Sequence, residues 1–212
     1  GDRIYILASG ALYSYNTSDD EVRTYDKINT LSDIDITHIA YCKDIKALVI
    51  VYSNANIDIL YDDDEVYNMS DFKNKTLPSK KINGINIQGT TAYLSTSFGI
   101  VEIDLEEYEF TNTYTLDKEV YCACTFDNRI YASTPDGIIS GDRNNNLLDR
   151  KNWQNVNSHI ATAMDIHAGR IYYLVKNSGL FYLDNRNGNG TRMLHNGELL
   201  YLYSNGNELL SG

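Results

Sequence analysis

Acidic side chains are the most abundant groups in this sequence that could do chemistry, with 29 aspartates and glutamates among 212 residues. Glycoside hydrolysis is the reaction they suggest, because it needs two carboxyl groups that face each other across a sugar. Asp58, Glu102, Glu109 and Asp165 are available for such a pair, but no pattern selects two of them. The chain also contains no G-x-S-x-G, H-E-x-x-H or phosphate-loop motif. We therefore expect a protein without catalytic residues.

Histidine and cysteine show no pattern of metal ligands. Cys122 and Cys124 are two positions apart on one predicted strand, where parallel side chains roughly 6.5 Å apart would form a poor disulfide. With Cys42 they make an odd set of three, and we expect buried free thiols. The histidines lie far apart in the chain without the spacing of a ligand set: His38, His159, His167 and His195. The sequence predicts neither a metal site nor a cofactor.

A polar insert, Ser53–Asn56, interrupts the apolar run LVIVYSNANIDIL that begins at Leu48. Alternate side chains of a strand share one face, so Asn56 and Asp58 are predicted to lie side by side after the turn. Together with Asn54 they form a candidate contact surface for a binding partner.

Trp153, in the stretch KNWQNVN, is the only tryptophan. An exposed indole could stack on a sugar ring, as in a lectin. The commoner use of such a side chain is packing between structural elements. We retain Trp153 as the fourth residue of the candidate contact surface.

Composition and charge favour an all-β protein and exclude some partners. Tyrosine supplies 18 residues, which suits pleated, half-buried surfaces. The net charge of −11 would repel a phosphate backbone, so nucleic acid is not an expected partner. No run approaches the ~20 apolar residues that span a bilayer. The first residues, Gly1 and Asp2, lead straight into a predicted strand, so we expect a fragment from which a targeting segment has been removed.

A repeat of about forty residues organises the chain. Five segments align, beginning at Ile4, Leu48, Ala92, Ile130 and Ile171, and a partial sixth begins at Leu209, so that the spacings are 44, 44, 38, 41 and 38. Each repeat contains four short strand patterns and no sustained helical period. Such units are typical of β-propeller blades. A β-solenoid is the alternative, although its coils are usually shorter and more regular.

The fourth strand pattern of each repeat is predicted to be the innermost strand of the next blade. These patterns begin at Ile36, Ile82, Val120, Ile160 and Leu199. On this interpretation residues 1–212 form one propeller domain, the N-terminal part of a longer multidomain protein. Its ring is either closed with five blades, or open and part of a six- or seven-bladed ring.

Aspartates recur at one offset after the turn in three repeats: Asp104, Asp142 and Asp184. Aspartate favours the start of turns because its side chain bonds nearby backbone N–H groups. Recurrence at one offset therefore predicts a structural role rather than catalysis.

The turn between the first two strands of most repeats ends in glycine: Gly10, Gly99, Gly137 and Gly179. Ala55 occupies this position in the second repeat. Because alanine resists positive φ, we predict that Asn54 or Asn56 takes that conformation instead.

Several motifs, taken in order, resemble those of one family. They are LSDxxIxxIxY from Leu31, LxIxYSNxNID from Leu48, KIN from Lys81, AYLS from Ala92, FGIV from Phe98 and NW from Asn152. This passage is similar to the N-terminal propeller of PorZ-type proteins of Bacteroidetes. More loosely, it resembles the propeller repeat of two-component regulators. The resemblance covers about residues 3–157.

The resemblance implies an exported protein, periplasmic or associated with the outer membrane. Family members carry two propellers and a C-terminal β-sandwich, and they act in type IX secretion, in the surface complex that attaches cargo to lipopolysaccharide. Implied partners are envelope or secretion-complex proteins, the remaining domains of the same chain, and glycan or lipopolysaccharide, without direct membrane insertion. No catalytic residue is implied. The alternatives are a glycan-sensing propeller of a hybrid two-component regulator and, more weakly, a propeller glycosidase.

Overall fold

The computed structural model describes residues 3–76, 79–183, 191–195 and 197–212. These residues form antiparallel sheets of three, four, four, four, four and two strands in chain order. The two helical segments described are single turns, so neither could span a bilayer. By backbone contacts the chain divides into two compact units.

The first unit comprises the described residues up to Ile82 together with Leu105–Tyr108. Its three-stranded sheet, blade A, contains β1 (Arg3–Ala8), β2 (Ala11–Asn16) and β3 (Val22–Tyr25). Its four-stranded sheet, blade B, contains β4 (Ile36–Cys42), β5 (Ala47–Tyr52), β6 (Ile57–Tyr61) and β7 (Val66–Met69). The helical turn α1 (Asp71–Asn74) follows β7 and buries Phe72.

The second unit comprises Asn83–Asp104 and the described residues from Glu109 onward. Blade C contains β8 (Ile82–Gln88, of which Ile82 belongs to the first unit), β9 (Thr91–Thr96), β10 (Gly99–Asp104) and β11 (Glu109–Thr115). Blade D contains β12 (Cys122–Phe126), β13 (Arg129–Thr134), β14 (Gly137–Asp142) and β15 (Trp153–Asn157), the last preceded by a 3-10 turn at Arg150–Asn152. Blade E contains β16 (Ala161–His167), β17 (Arg170–Val175), β18 (Gly179–Leu183) and β19 (Thr191–His195), and a sixth sheet pairs β20 (Leu202–Ser204) with β21 (Leu209–Ser211).

This sheet order confirms the predicted blade anatomy. The fourth pattern of each repeat forms the first strand of the next sheet, as β4 pairs with β5 and β12 with β13. The last pattern supplies β20, which pairs with β21 of the partial sixth repeat. The all-β propeller class predicted from the forty-residue period is therefore correct. The number of blades in a ring, its closure and the single-domain assignment stay predictions.

Burial is greatest in the two middle strands of each full blade. Every residue of β5 is buried, which matches its unbroken apolar sequence ALVIVY. In the first unit the core cluster contains Leu12, Tyr25, Leu31, Ile36, Leu48, Ile50, Tyr52 and Leu60. In the second unit one cluster packs around Tyr93, Ile100, Tyr114 and Ile130, and another around Tyr131, Met164, Ile171 and Tyr173. The polar side chains buried among these apolar groups define the candidate site.

Candidate functional site

A buried aspartate, Asp33, fastens the connection between β3 and β4 to blade B. Its side chain is 7% exposed, and its Oδ2 accepts hydrogen bonds from Lys73 Nζ and Asn54 Nδ2, both at 2.6 Å. Asn56 Nδ2 donates to the same oxygen at 3.3 Å, and Lys27 Nζ lies 3.7 Å from Oδ1. The carboxylate therefore ties a loop, a turn and a helical turn together.

The surroundings of Asp33 favour its charged form. Burial by itself would raise the pKa of this carboxyl, but hydrogen bonds from Lys73, Asn54 and the Ile34 backbone N–H outweigh it. The pKa of Asp33 is consequently held well below its usual range.

A second buried carboxylate, Asp58, lies on β6 and is fully buried. Its Oδ2 accepts hydrogen bonds from the Ser32 backbone N–H at 2.8 Å and from Tyr52 Oη at 2.5 Å. Asn68 Nδ2 donates to Oδ1 at 2.7 Å. Burial, followed by the hydrogen bond to Asp58, raises the pKa of Tyr52 well above its usual value. Tyr52 therefore stays protonated and donates to the Asp58 side chain.

The predicted common face of Asn56 and Asp58 is present, because Asn68 Nδ2 reaches both side chains, with Asn56 Oδ1 at 3.1 Å. Both residues are nonetheless buried, Asn56 being 2% exposed, and both are engaged by partners within the chain. Their side chains are closed to an outside partner as the protein stands. Of the turn residues in the proposed contact surface, Asn54 alone is exposed.

The prediction that Ala55 avoids positive φ is wrong, since its φ is 64°. The Ala55 N–H bonds the Tyr52 carbonyl at 2.9 Å, and the Tyr52 N–H bonds the Asn56 carbonyl at 3.0 Å. This pattern is a type I turn followed by one left-handed residue, and the residue in that place is Ala55. Asn54 Oδ1 also accepts the Asn56 backbone N–H at 3.0 Å, which holds both asparagines outside the left-handed region.

Trp153 packs within the second unit. Its indole Nε1–H donates to the Leu147 carbonyl at 3.0 Å, and its ring meets that of Tyr114 edge-on at 6.1 Å between centroids. Tyr114 belongs to β11 of blade C and Trp153 to β15 of blade D, so the contact joins two blades, as the commoner use of such a side chain predicts. Trp153 remains partly exposed, and its predicted role in a contact surface stays a prediction.

A third buried carboxylate, Glu102, is the counterpart of Asp58 in blade C and is 3% exposed. It lies opposite Asn112 as Asp58 lies opposite Asn68, and Asn112 Nδ2 donates to Oε2 at 3.1 Å. Tyr114 Oη donates to Oε2 at 2.7 Å, and Arg143 Nη2 donates to Oε1 at 2.6 Å. Buried carboxylates held by donors in this way stabilise the packing of blades.

The other candidate acids do not complete a catalytic pair. Asp165 accepts the Ser204 backbone N–H at 2.6 Å, and His167 Nδ1 lies 3.2 Å from Ser204 Oγ. This is not a nucleophile relay, because the carboxylate bonds the backbone of the serine rather than the imidazole. Burial raises the pKa of Asp165. Glu109 is an exposed residue at the start of β11.

Two of the three recurring aspartates, Asp104 and Asp142, end strands. Asp142 Oδ1 accepts the Asn144 backbone N–H at 2.9 Å, which is the turn role predicted for it. Asp104 occupies the same end of β10, and Asp184 lies outside the described residues.

The three cysteines form no disulfide, as expected, and Cys42 and Cys124 are buried while Cys122 is partly buried. Histidines contact local groups: His38 Nδ1 lies 3.0 Å from Thr37 Oγ1, and His159 Nδ1 lies 2.8 Å from Tyr173 Oη. Across the described ranges, no group of three or more potential ligands could hold a metal ion. The side chain of His195 lies outside the description.

Two residues that organise these networks were not singled out from the sequence, Lys73 and Arg143. Lys73 binds Asp33, which lies 40 residues away in sequence, and Arg143 binds Glu102, which lies 41 residues away. That separation is close to the repeat length, and a search for opposite charges one repeat apart would have found both pairs.

The fold defines a β-propeller of mostly four-stranded blades, and its buried carboxylates join blades and loops. A family model described as the N-terminal β-propeller domain of PorZ, of the type IX secretion system, matches residues 4–154. The chain belongs to this family of PorZ N-terminal propellers.

Solved structures agree with this assignment. The structure of PorZ from Porphyromonas gingivalis, described as an essential surface component of the type IX secretion system, is 27% identical, with a TM-score of 0.84. The likeness covers 95% of this chain and 28% of that one, so the chain spans little more than a quarter of that PorZ. The extracellular domain of a protein described as the hybrid two-component system BT3049, from B. thetaiotaomicron, is 18% identical over 95% of this chain and 29% of that one, with a TM-score of 0.68. No curated protein matches the chain.

Proposed function

We propose that this chain is a non-catalytic interaction module of a cell-envelope protein that serves type IX secretion. The observation that carries the proposal is the match to the PorZ propeller family over residues 4–154. The likeness to PorZ of P. gingivalis over 95% of the chain supports it. In this role the propeller assembles with other envelope or secretion proteins, or with the remaining domains of its own polypeptide, while cargo is attached to the surface.

A non-enzymatic role is supported by how the acids are used. Asp58 accepts three hydrogen bonds from within the chain, and Glu102 is joined to Arg143 and three further donors. A general acid or a nucleophile of a glycosidase must instead face its substrate. We expect no turnover of aryl glycosides by the purified chain. Turnover that Asp58→Asn abolishes would revive the glycosidase hypothesis.

An envelope location follows from the same proposal. PorZ of P. gingivalis is described as a surface component, and the domain of BT3049 as extracellular. In cells, protease treatment of intact and of permeabilised bacteria, followed by blotting for the tagged full-length protein, distinguishes surface, periplasmic and internal pools. If the tagged protein resists the protease in permeabilised envelopes, as a cytoplasmic marker does, the result would contradict the proposal.

The decisive test of function is genetic. Deletion of the gene in its own bacterium is expected to leave type IX cargo unattached, so that cargo appears in the medium instead of on the cell surface. The full-length gene restores attachment, while an empty vector does not. Normal surface cargo in the deletion strain would overturn the proposal, as would a polypeptide in which this propeller is joined to a membrane-spanning helix and a kinase. That second outcome is the sensing alternative, for which the 18% likeness to BT3049 supports only the fold.

A further inference from the structure

An aromatic stack stands beside an acidic hairpin in the first unit. The hairpin between β6 and β7 carries Asp62, Asp63, Asp64 and Glu65 in succession, and Tyr67 follows on β7. The Tyr67 ring stacks on that of Tyr108, with centroids 3.8 Å apart and planes 21° from parallel. We call Glu65, Tyr67 and Tyr108, with the acids of the hairpin, the tyrosine–acid surface.

A hydrogen bond between two tyrosine hydroxyls fixes the position of Tyr108 in this stack. Tyr108 Oη and Tyr61 Oη are 2.6 Å apart and share a hydrogen bond. Tyr67 remains 45% exposed. Since Tyr108 covers one face of this ring, the exposed area of Tyr67 lies on its outer face and its edge.

An exposed carboxylate precedes this ring by two positions in the chain. Glu65 is exposed and lies two positions before Tyr67, so their side chains project from the same side of extended backbone roughly 6.5 Å apart. The Tyr61 N–H bonds the Glu65 carbonyl at 2.9 Å, which fixes the backbone of Glu65 beside Tyr61, the hydrogen-bond partner of Tyr108.

The negative charge here is only partly compensated within the chain. Asp64 is neutralised by Arg3, at 2.9 Å, and by Arg23. Asp62, Asp63 and Glu65 are all exposed, and within the described part of the chain none of the three has an ion pair. The hairpin therefore presents a negative potential next to an aromatic face.

We propose that the tyrosine–acid surface binds an arginine-rich segment of a protein partner, with one guanidinium lying over Tyr67 and bonded to Glu65. A planar cation is attracted by the negative face of an aromatic ring. The same guanidinium forms paired hydrogen bonds with a carboxylate. The uncompensated Asp62 and Asp63 attract further basic residues of the segment.

A cationic protein fits this surface better than a sugar does. Small-ligand sites are concave, whereas these residues lie on a hairpin and the strand that leaves it. A neutral sugar would use one or two carboxylates as acceptors and would leave the charge of the others uncompensated. This inference deepens the proposed function, on which it rests, by naming a surface and a chemistry for one of the module's partners.

The test is a titration of the folded chain with two labelled peptides, followed by fluorescence anisotropy at low salt. One peptide contains six arginines, and the other has citrulline, the neutral isostere, at each of those positions. We expect the arginine peptide to bind and the citrulline peptide to bind far more weakly. Tyr67→Leu and Glu65→Gln should each weaken the arginine peptide about fivefold, the factor that corresponds to a cation–π contact of about 1 kcal/mol.

Matched variants in the second unit distinguish binding at the tyrosine–acid surface from non-specific attraction of a basic peptide to an acidic protein. Tyr201 is 57% exposed and Glu208 is exposed, so Tyr201→Leu and Glu208→Gln remove the same groups elsewhere and should leave affinity unchanged. Circular dichroism establishes that each variant is folded.

Three outcomes overturn the inference: equal losses in the control variants, equal binding of the citrulline peptide, or binding of maltohexaose that depends on Tyr67. None of them bears on the secretion test, because cargo attachment is measured in cells that lack the whole gene. The inference and the proposed function can therefore fail separately.

Discussion

Arg143 Nη2 donates to Glu102 Oε1 at 2.6 Å and so joins the loop after β14 to the middle of β10 in the preceding blade. In the first unit, a second charge pair and an aromatic contact join neighbouring blades in the same way. There Asp64, in the hairpin after β6 of blade B, accepts from Arg3 of blade A, and Tyr108 stacks on Tyr67. The segment between the third and fourth strands therefore contacts the preceding blade through a charge pair in blades B and D, and through an aromatic stack in blade C.

The Arg143–Glu102 contact is expected to couple the two residues energetically. Glu102 is almost fully buried, so removing Arg143 leaves its carboxylate without the cation that pairs with it. A double-mutant cycle with Glu102→Gln and Arg143→Met, measured by urea unfolding, should give a coupling of about 1–3 kcal/mol. The exposed pair Arg150–Asp117, whose side chains are 58% and 60% exposed, is the control and should give about 0–1 kcal/mol. Equal couplings would show that burial does not strengthen the inner pair.

Ala55→Gly is expected to stabilise the chain. Ala55 is held at a φ of 64°, and this conformation costs an L-residue roughly 1–2 kcal/mol. Glycine removes that strain but loses more conformational freedom on folding and deletes the buried methyl group of Ala55, so the net gain is no more than about 0.5 kcal/mol in the free energy of unfolding. Ala132→Gly, at a buried position in the middle of β13, is the control and should destabilise. A loss of stability in Ala55→Gly would contradict the strain argument.

The turn at Ala55 shows where sequence reasoning stops. The strand–turn–strand pattern could be predicted, because apolar residues alternate on both sides of the polar insert. The low preference of alanine for positive φ pointed to Asn54 or Asn56 as the left-handed residue, whereas the repeat alignment puts Ala55 where four other repeats have glycine. The register between β5 and β6 decides between them. That register pairs Val51 with Ile57, and it puts the third turn residue, Ala55, in the left-handed region whatever its preference.

The burial of Asn56 and Asp58 could not be predicted from local sequence patterns either. Alternation placed Asn56 and Asp58 on one face, but it does not say what covers that face. The covering group is the loop around Asp33, which crosses from the previous blade. Its carboxylate and the Ser32 N–H meet side chains more than twenty residues away in sequence. Single-sequence periodicity contains no information about such a contact.

Gly137→Ala should be far more damaging than Gly169→Ala. A Cβ on Gly137 would lie 2.2 Å from the Asn157 carbonyl oxygen, and the φ of Gly137 is 114°. Gly169 also has a positive φ, 71°, but nothing lies within 4 Å of an added Cβ. The Gly169 variant therefore bears only the conformational cost, about 1 kcal/mol, and serves as the control. Thermal unfolding of both variants is the measurement, and equal losses would show that the backbone beside Gly137 can move away.

The cysteines are expected to be unreactive until the chain unfolds. Burial raises the pKa of the Cys122 thiol well above its usual value. Burial, with smaller contributions from Cys122 and Asp165, does the same for Cys124, and Cys42 is fully buried. Because the thiolate is the reacting species, Ellman's reagent at pH 8 should react slowly with the native chain and rapidly with all three thiols in denaturant. Ser211→Cys, at an exposed position, should add one fast-reacting thiol, and a fast phase without it would contradict the prediction.

Asp33 should make stability depend on acid pH. Its folded-state pKa is depressed, so its contribution is present above the unfolded value of about 3.9 and is lost as pH falls through the lower folded value. Asp33→Asn is therefore expected to cost about 2–4 kcal/mol at pH 7, from lost charge-assisted hydrogen bonds. The gap in the free energy of unfolding between variant and wild type should narrow as the pH falls below about 4, because the unfolded wild-type chain then binds a proton that the folded Asp33 carboxylate does not. Urea unfolding of both proteins across this range measures the gap.

Asp136→Asn is the control. It breaks an exposed pair with Lys118, in which the Asp136 and Lys118 side chains are 66% and 38% exposed, and it should change stability by no more than about 1 kcal/mol at pH 7. A gap for Asp33→Asn that stays constant down to pH 2 would mean that the carboxylate's charge is not what holds the loop to blade B.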